Sequence, residues 1–163
     1  MLNLYQLYNK PEKLDKFDAF NALIGNFIGY RYNHNFDVVL PIIKRSPEYA
    51  YNYASNILKT RWVEAESYIM KDSMVAYYYA RDVINGRFIE AEKYIMKDSY
   101  WAYEYSCLVI NGRWIEAEPY IMTDPWHACK YATGILKERW IEAEPTIMQN
   151  ERWWNYYKTE FKL

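Results

Sequence analysis

Four copies of the motif Arg-aromatic-(Val/Ile)-Glu-Ala-Glu place paired carboxylates at a fixed spacing along the chain. Two nearby glutamates could perform general acid/base chemistry, and a ladder of glutamate oxygens could hold a hard divalent cation. A catalytic site needs one asymmetric set of groups, whereas this motif gives every copy the same residues. The copying therefore favours a structural role, and cation binding is the alternative.

In the structural role, a glutamate in the first turn of a short helix offsets the helix dipole. The arginine can bridge to a glutamate of a neighbouring copy or to carbonyls at the end of the preceding helix. We predict that eight residues form this structural ladder: Arg61, Arg87, Arg113, Arg139, Glu66, Glu92, Glu118 and Glu144.

Other candidates for chemistry are isolated. His34 and His127 have no partner nearby in the sequence, so neither indicates a metal site or a general base. Cys107 and Cys129 lack the spacing of a metal knuckle and are interpreted as free thiols in a reducing compartment. The sequence contains no glycine-rich phosphate loop and no nucleophile elbow. We expect a protein that is not an enzyme and that uses no metal and no cofactor.

Aromatic residues are unusually abundant, at 20% of 163 residues, with 19 Tyr and 7 Trp. A core of this size does not need so many rings, so some are expected at the surface. The 20 Lys and Arg against 21 Asp and Glu leave a net charge of −1, which disfavours nucleic acid as a partner. We find neither a signal-peptide pattern nor an apolar run of membrane-spanning length, and we expect one soluble domain in the cytoplasm, without membrane association.

The charged motif belongs to a longer tandem repeat with a period of 26 residues. After its glutamates, each copy continues into an Ile-Met pair, as at 69–70 and 95–96. Such self-similarity is typical of arrays in which each unit packs on the next. The predicted units are an N-terminal cap (1–34), a degenerate repeat (35–60), three full repeats (61–86, 87–112 and 113–138) and a C-terminal capping repeat (139–163).

Each repeat predicts two short helices. In the first helix, Trp62, Ala65 and Ile69 share one face, and in two later copies Pro119 and Pro145 require an irregular first turn. The second helix begins after an Asp N-cap and ends at Asn-Gly, where we expect the glycine to be left-handed. Helices this short are stable only when stacked. The predicted fold class is all-α, a right-handed-type solenoid of two-helix repeats with N- and C-terminal capping helices.

Comparison of the copies separates positions that recur from positions that vary. On the second helix, the varying positions are mostly aromatic, and varying positions usually line the binding surface of a repeat array. Tyr and Trp are also typical of protein-binding hot spots. We predict that ten residues bind a partner: Tyr49, Tyr51, Tyr77, Tyr78, Tyr100, Trp101, Tyr103, Trp126, Lys130 and Trp153. The alternative is that these rings pack against the next repeat and belong to the core.

The segment 79–98 reads Tyr-Ala-Arg-Asp-Val-Ile-Asn-Gly-Arg-Phe-Ile-Glu-Ala-Glu-Lys-Tyr-Ile-Met-Lys-Asp. It resembles a short helical repeat found in proteins of tailed bacteriophages and other viruses, closely over 60–150 and weakly over 35–60. Its layout is more distantly similar to tetratricopeptide and Sel1-like helix pairs, which are protein-binding scaffolds. The resemblance implies a virus-encoded protein that acts on a host factor, and it assigns no functional residue.

We therefore expect a non-enzymatic protein-interaction module, encoded by a phage, that docks a host protein on its aromatic second helices. Its effect could be inhibition of host defence or metabolism. The alternative function is binding of a small ligand or of single-stranded nucleic acid between stacked Tyr and Trp rings.

Overall fold

The computed structural model describes residues 36–163, and within that range every regular element is helical. The prediction of an all-α fold is confirmed for this part of the chain. The predicted N-terminal cap, 1–34, lies outside the described residues. None of the described helices combines the length and the apolar character needed to cross a bilayer.

The chain forms two compact units, Met1–Ile69 and Met70–Leu163, which we call unit 1 and unit 2. In unit 1, the described helices are α1 (Phe36–Ile43), α2 (Pro47–Tyr53) with a π-helical turn (Ala54–Leu58), and α3 (Val63–Ile69). Helices α2 and α3 pack against each other. Trp62, Ala65 and Ile69 are buried together with Tyr53, whose ring meets Trp62 edge-on at 4.9 Å, so the predicted apolar face is confirmed.

Unit 2 continues the same alternation of helices. Its even-numbered members are α4 (Ser73–Tyr79), α6 (Ser99–Tyr105) and α8 (Pro125–Tyr131), each extended by a π-helical turn (Ala80–Ile84, Ser106–Ile110 and Ala132–Leu136), and α10 (Glu151–Phe161). The odd-numbered members are α5 (Ile89–Ile95), α7 (Glu118–Ile121) and α9 (Glu144–Ile147), the last two preceded by 3₁₀ turns (Ile115–Ala117 and Ile141–Ala143). Each even helix packs on the next even helix and on the odd helix that follows it.

The helix starts follow the sequence signals closely. Asp72 accepts a hydrogen bond from the backbone N–H of Val75, and Asp98 and Asp124 cap α6 and α8 in the same way. The 3₁₀ turn before α7 arises because Pro119 has no N–H to donate to the carbonyl of Ile115, which accepts the N–H of Glu118 instead. The Asp N-caps and the irregular first turns are therefore confirmed.

The helix ends differ from expectation. The left-handed residues are Asn85 and Asn111, each with φ of 54°, whereas the glycines that follow them are not left-handed. The equivalent positions in other copies hold Lys59 and Lys137, with φ of 56° and 57°. Asparagine tolerates this conformation because its short polar side chain bonds locally. The prediction that glycine takes the left-handed position was wrong by one residue.

The core of unit 2 is built from small and aromatic residues in alternation. Alanines allow close approach where helices meet, and one tyrosine from each even helix fills the space between them. The fully buried members include Ala76, Ala91, Ala102, Ala117, Ala128 and Ala143, with Tyr79, Tyr105, Tyr131 and Tyr157.

A polar cluster of the same composition joins the two helices of each copy in unit 2. Arg87 binds both carboxylate oxygens of Glu92, with Nε–Oε1 and Nη2–Oε2 distances of 2.7 and 2.6 Å. The hydroxyl of Tyr105 on α6 donates to Glu92 Oε1 at 3.0 Å and accepts the backbone N–H of Phe88 at 2.7 Å. We call this set the Arg-Glu-Tyr cluster. It recurs around Arg113, Glu118 and Tyr131 and around Arg139, Glu144 and Tyr157.

The ladder residues thus form ion pairs, with one difference from expectation. Each arginine pairs with the glutamate five residues later in its own copy, as Arg61 does with Glu66 at 2.8 Å, and not with a glutamate of a neighbouring copy. Glu92, Glu118 and Glu144 are only 7 to 8% exposed. A buried carboxylate needs both a cation and hydrogen-bond donors, and the cluster supplies both.

Replacing Tyr131 by Phe should lower the free energy of unfolding by about 1–3 kcal/mol, because the buried N–H of Trp114 loses its acceptor. Urea unfolding followed by circular dichroism measures the change. The matched control is Tyr120→Phe, a tyrosine that is 37% exposed, for which we expect a change within about 0.5 kcal/mol. Equal effects of the two substitutions would show that the cluster contributes nothing.

Replacing Asn111 by Ala should cost about 1 kcal/mol, because alanine is strained at a φ of 54°. Gly112→Ala should be neutral or slightly stabilising, since an added Cβ there meets no atom within 4 Å and the backbone is not left-handed. Thermal unfolding of the two variants gives the comparison. The opposite order of stabilities would contradict the assignment of Asn111 as the left-handed residue.

Candidate binding surface

Half-exposed rings follow one another along the even helices of unit 2. We call this set the aromatic row. Tyr100 is 41% and Tyr156 37% exposed, and the other members lie between buried and exposed. The row consists of Tyr78, Tyr100, Trp101, Tyr103, Trp126, Trp153 and Tyr156. Six of these residues were predicted from the sequence to bind a partner, and Tyr156 is added by the structure.

The rings of the row contact one another from helix to helix. Tyr78 on α4 meets Trp101 on α6 at a centroid distance of 5.6 Å, and Tyr103 meets Trp126 on α8 at 5.4 Å. Trp126 in turn meets Trp153 on α10 at 6.3 Å. These three contacts are edge-on, with interplanar angles of 62°, 73° and 70°. Each ring therefore holds its neighbours in place, and contacts within the protein itself fix the arrangement of the rings.

Tyr77 does not belong to the exposed surface, although it was predicted to. It is 2% exposed, and its ring lies 5.3 Å from that of Trp101. For this residue the core alternative is correct, because its side chain fills the contact between α4 and α6. Val75 and Cys129 also lie at second-helix positions that vary between the copies, and both are buried. Burial raises the pKa of the Cys129 thiol to about 11.

Three cations cover ring faces within the row. The guanidinium of Arg81 lies 4.8 Å from the Tyr78 ring centroid, the Nζ of Lys130 lies 4.4 Å from that of Tyr156, and the guanidinium of Arg152 lies 4.8 Å from that of Trp153. Lys130 was predicted as a binding residue, whereas Arg81 and Arg152 were not. Arg81 also pairs with Asp82 at 2.6 Å, and that hydrogen bond raises its pKa.

The two remaining predicted residues, Tyr49 and Tyr51, lie on α2 in unit 1. Both are half-buried. Because they belong to unit 1, Tyr49 and Tyr51 are not members of the aromatic row.

His127 sits among the rings of the row, beside a serine and an aspartate. Its Nδ1 lies 3.0 Å from Ser99 Oγ and 3.3 Å from Asp124 Oδ1. A catalytic triad needs the serine and the aspartate on opposite ring nitrogens, whereas here both face the same one. Asp124 Oδ1 also accepts the backbone N–H of Trp126 and His127 as the N-cap of α8. The arrangement is therefore a helix cap with a packed histidine and does not match the geometry of a charge-relay system.

The alternative of a cation site finds no supporting cluster in the part of the chain that the structure describes, where no group of three His, Cys, Asp or Glu side chains converges. The buried ladder glutamates are instead bound by arginine. Cys107 and Cys129 are both free thiols, as predicted.

Comparisons with protein-family models, with curated proteins and with solved structures found no match for this chain. Function must therefore be inferred from the fold and from the aromatic row.

His127 predicts a pH dependence of stability. Burial lowers its folded pKa below the ordinary value of 6.5, although Asp124, Asp98 and Glu104 act in the opposite direction. Below pH 6.5 the unfolded chain therefore binds a proton at this residue more readily than the folded chain. The stabilising contribution is complete above pH 6.5 and is lost as the pH falls toward the folded pKa.

The measurement is urea unfolding of the native chain and of the variant His127→Gln between pH 8 and pH 5. We expect the native chain to lose more stability than the variant below pH 6.5, since both keep every other titratable group. Parallel pH profiles for the two proteins would contradict the argument.

Proposed function

We propose that this chain is a non-enzymatic protein-interaction module that docks a partner protein on the aromatic row. The observation that carries the proposal is the continuous run of half-exposed Tyr and Trp rings across the four even-numbered helices of unit 2, α4, α6, α8 and α10. Such rings offer a large contact area and have few rotatable bonds, so little conformational entropy is lost when a partner covers them.

The packing of the rings adds to this advantage. Because Trp101 already contacts Tyr78 and Tyr100, and Trp126 contacts Tyr103 and Trp153, binding does not need to order them. Affinity rises when the ordering cost is low, which is the general benefit of a preorganised surface. The cations over the ring faces can at the same time donate hydrogen bonds to carbonyl or carboxylate oxygens of the partner.

The same ring geometry supports the alternative function less well. A nucleobase that stacks between two rings requires parallel ring planes with an open gap. The most nearly parallel pair that includes a ring of the row, Tyr103 and His127, has planes 23° apart and centroids at 6.0 Å, so the two rings contact each other directly. The rings of the row meet one another edge-on. A small ligand or a single strand could stack only on the outer faces of individual rings.

We also propose that the copies stack as a right-handed-type solenoid with a C-terminal capping repeat. Support comes from unit 2, where α4, α6, α8 and α10 contact in sequence and the Arg-Glu-Tyr cluster recurs every 26 residues. In such an array the row of rings is an extended surface suited to a protein partner. The terminal helix α10, with Trp154 and Lys158 where other copies have small residues, acts as the cap.

The resemblance to viral repeats supports a phage-encoded protein that acts in the cytoplasm of its host cell. On this proposal the partner is a host protein, and covering that protein's surface inhibits host defence or metabolism. The two free thiols accord with a reducing compartment.

Site-specific photo-crosslinking tests the proposal. A benzoylphenylalanine at position 100, in the row, should crosslink a defined protein from a bacterial host lysate. The same residue at position 120, which replaces a tyrosine of similar exposure outside the row, should not. The variant Tyr100→Ala/Trp126→Ala should bind the purified partner at least tenfold more weakly, because hot-spot rings contribute about 2 kcal/mol or more each.

The matched control for that variant is Tyr94→Ala/Tyr120→Ala, which removes two aromatic side chains from odd helices. It should leave affinity within about twofold, as expected of residues outside the contact. Partner binding that survives the row substitutions undiminished would show that the proposal is wrong. Crosslinking of a labelled oligonucleotide from position 100, with no protein captured, would establish the alternative function.

A further inference from the structure

The third residue of each charged motif is an aliphatic side chain that points into solvent. Ile89, Ile115 and Ile141 in unit 2 are 60%, 65% and 65% exposed, and we call these three the aliphatic row. Val63 holds the same position of the motif in unit 1 and is 66% exposed. The recurrence distinguishes this position from scattered apolar residues at a surface, which need no explanation.

Packing does not account for these residues. In the same motif copy the preceding residue, Trp114, and the following alanine, Ala117, are buried at 2% and 0% exposure, so the core contacts are made by their neighbours. Val and Ile are also slightly disfavoured in a helical turn, because branching at Cβ restricts their rotamers. A lysine or glutamine would suit the position better if it served only the helix. The retention of aliphatic residues in every copy of the motif therefore indicates contact with another molecule.

The surroundings of the aliphatic row carry negative charge. Each isoleucine is followed by an exposed glutamate, which is Glu90, Glu116 or Glu142. The nearby arginine is already paired with the buried glutamate of its own cluster, so each motif has one positive and two negative groups. The exposed Lys93, one turn after Ile89, adds a positive charge in that copy only, because the other two copies have Pro119 and Pro145 at its position. Glu116 is near enough to Arg87 of the previous copy to help raise its pKa, after the larger effect of the Glu92 hydrogen bond. Arg87, just before α5, and Glu116, in the turn before α7, are thus close enough to interact.

We infer that the aliphatic row is a second binding surface, which takes a basic amphipathic segment of a partner protein. Leu or Ile side chains of that segment would cover Ile89, Ile115 and Ile141, and its Lys or Arg side chains would meet the exposed glutamates. Charge decides between occupants. A second copy of this chain would bring two acidic rows together, and an anionic lipid surface or a nucleic acid would be repelled in the same way.

The aliphatic row is independent of the aromatic row. It lies at the starts of the odd helices, whereas the aromatic rings lie on the even helices. The two surfaces also differ in the charges near their apolar groups, with carboxylates beside the aliphatic row and cations over the rings.

Fluorescence anisotropy with a fluorescein-labelled amphipathic peptide of Lys and Leu tests the inference. The native chain should bind this Lys and Leu peptide. It should bind two control peptides at least tenfold more weakly: a Lys and Ser peptide of equal charge, and a Glu and Leu peptide. The variant Ile89→Ser/Ile115→Ser/Ile141→Ser should bind the Lys and Leu peptide about tenfold or more weakly. The reason is that the peptide no longer covers the apolar surface of three aliphatic side chains.

Charge variants provide a second measurement that does not depend on the isoleucines. Glu90→Gln/Glu116→Gln should weaken Lys and Leu binding about three- to tenfold at low salt, and added salt should reduce the difference. The matched control Glu151→Gln/Glu160→Gln removes two exposed carboxylates from α10 and should change affinity less than about twofold. The aromatic-row variant Tyr100→Ala/Trp126→Ala should bind the Lys and Leu peptide with the affinity of the native chain.

Three results would overturn the inference. The first is equal binding of the Lys and Ser peptide, which would show charge attraction only. The second is peptide binding that survives the isoleucine substitutions but not the aromatic ones. The third is a concentration-dependent dimer of the native chain in sedimentation equilibrium that the isoleucine substitutions abolish, which would identify a second copy as the occupant.

Discussion

The buried carboxylate of each Arg-Glu-Tyr cluster is the constraint on which unit 2 depends. A glutamate at 7 to 8% exposure loses most of its hydration, so it can remain charged only if the protein replaces the lost water contacts. Arginine supplies the opposite charge from the segment just before the odd helix, and the tyrosine hydroxyl comes from the following even helix. Because the hydroxyl also accepts a backbone N–H, one tyrosine provides a hydrogen bond to two buried polar groups, the carboxylate and the N–H. This is how an α-helix of four residues, Glu118–Ile121, is held in place.

The cluster also fixes the rotation of α6, α8 and α10 and therefore the choice of rings that face outward. Tyr105 is anchored in the core by its hydroxyl, and Trp101 and Tyr103 on the same helix are left half-exposed. The anchoring tyrosine recurs in every copy, whereas the outward rings vary. A scaffold held by constant polar contacts can accept different aromatic residues at its surface, which is the division of labour expected in a repeat array.

Much of the local structure follows from the sequence because its causes are local. Asp72, Asp98 and Asp124 cap the helices next to them, and Pro119 sets its own 3₁₀ turn through a missing donor. What sequence reasoning missed depends on neighbours distant in the chain. Tyr77 and Tyr78 are adjacent and alike, and both contact Trp101 of the next helix, yet Tyr77 is buried and Tyr78 is half-exposed. The difference depends on how α4 is oriented against α6, which the local sequence does not specify. The π-helical turns were also not predicted, although the four share a small first residue and two aliphatic last residues.

In a repeat array, positions that recur usually belong to the scaffold and positions that vary usually line the binding surface. The aliphatic residues recur and yet are 60 to 66% exposed, so recurrence alone does not identify a core position. The near-zero net charge conceals a similar division, because carboxylates lie beside the aliphatic row and cations lie over the aromatic rings. Cations over ring faces and carboxylates beside aliphatic side chains favour different partners, since a charge that strengthens binding at one of them weakens it at the other.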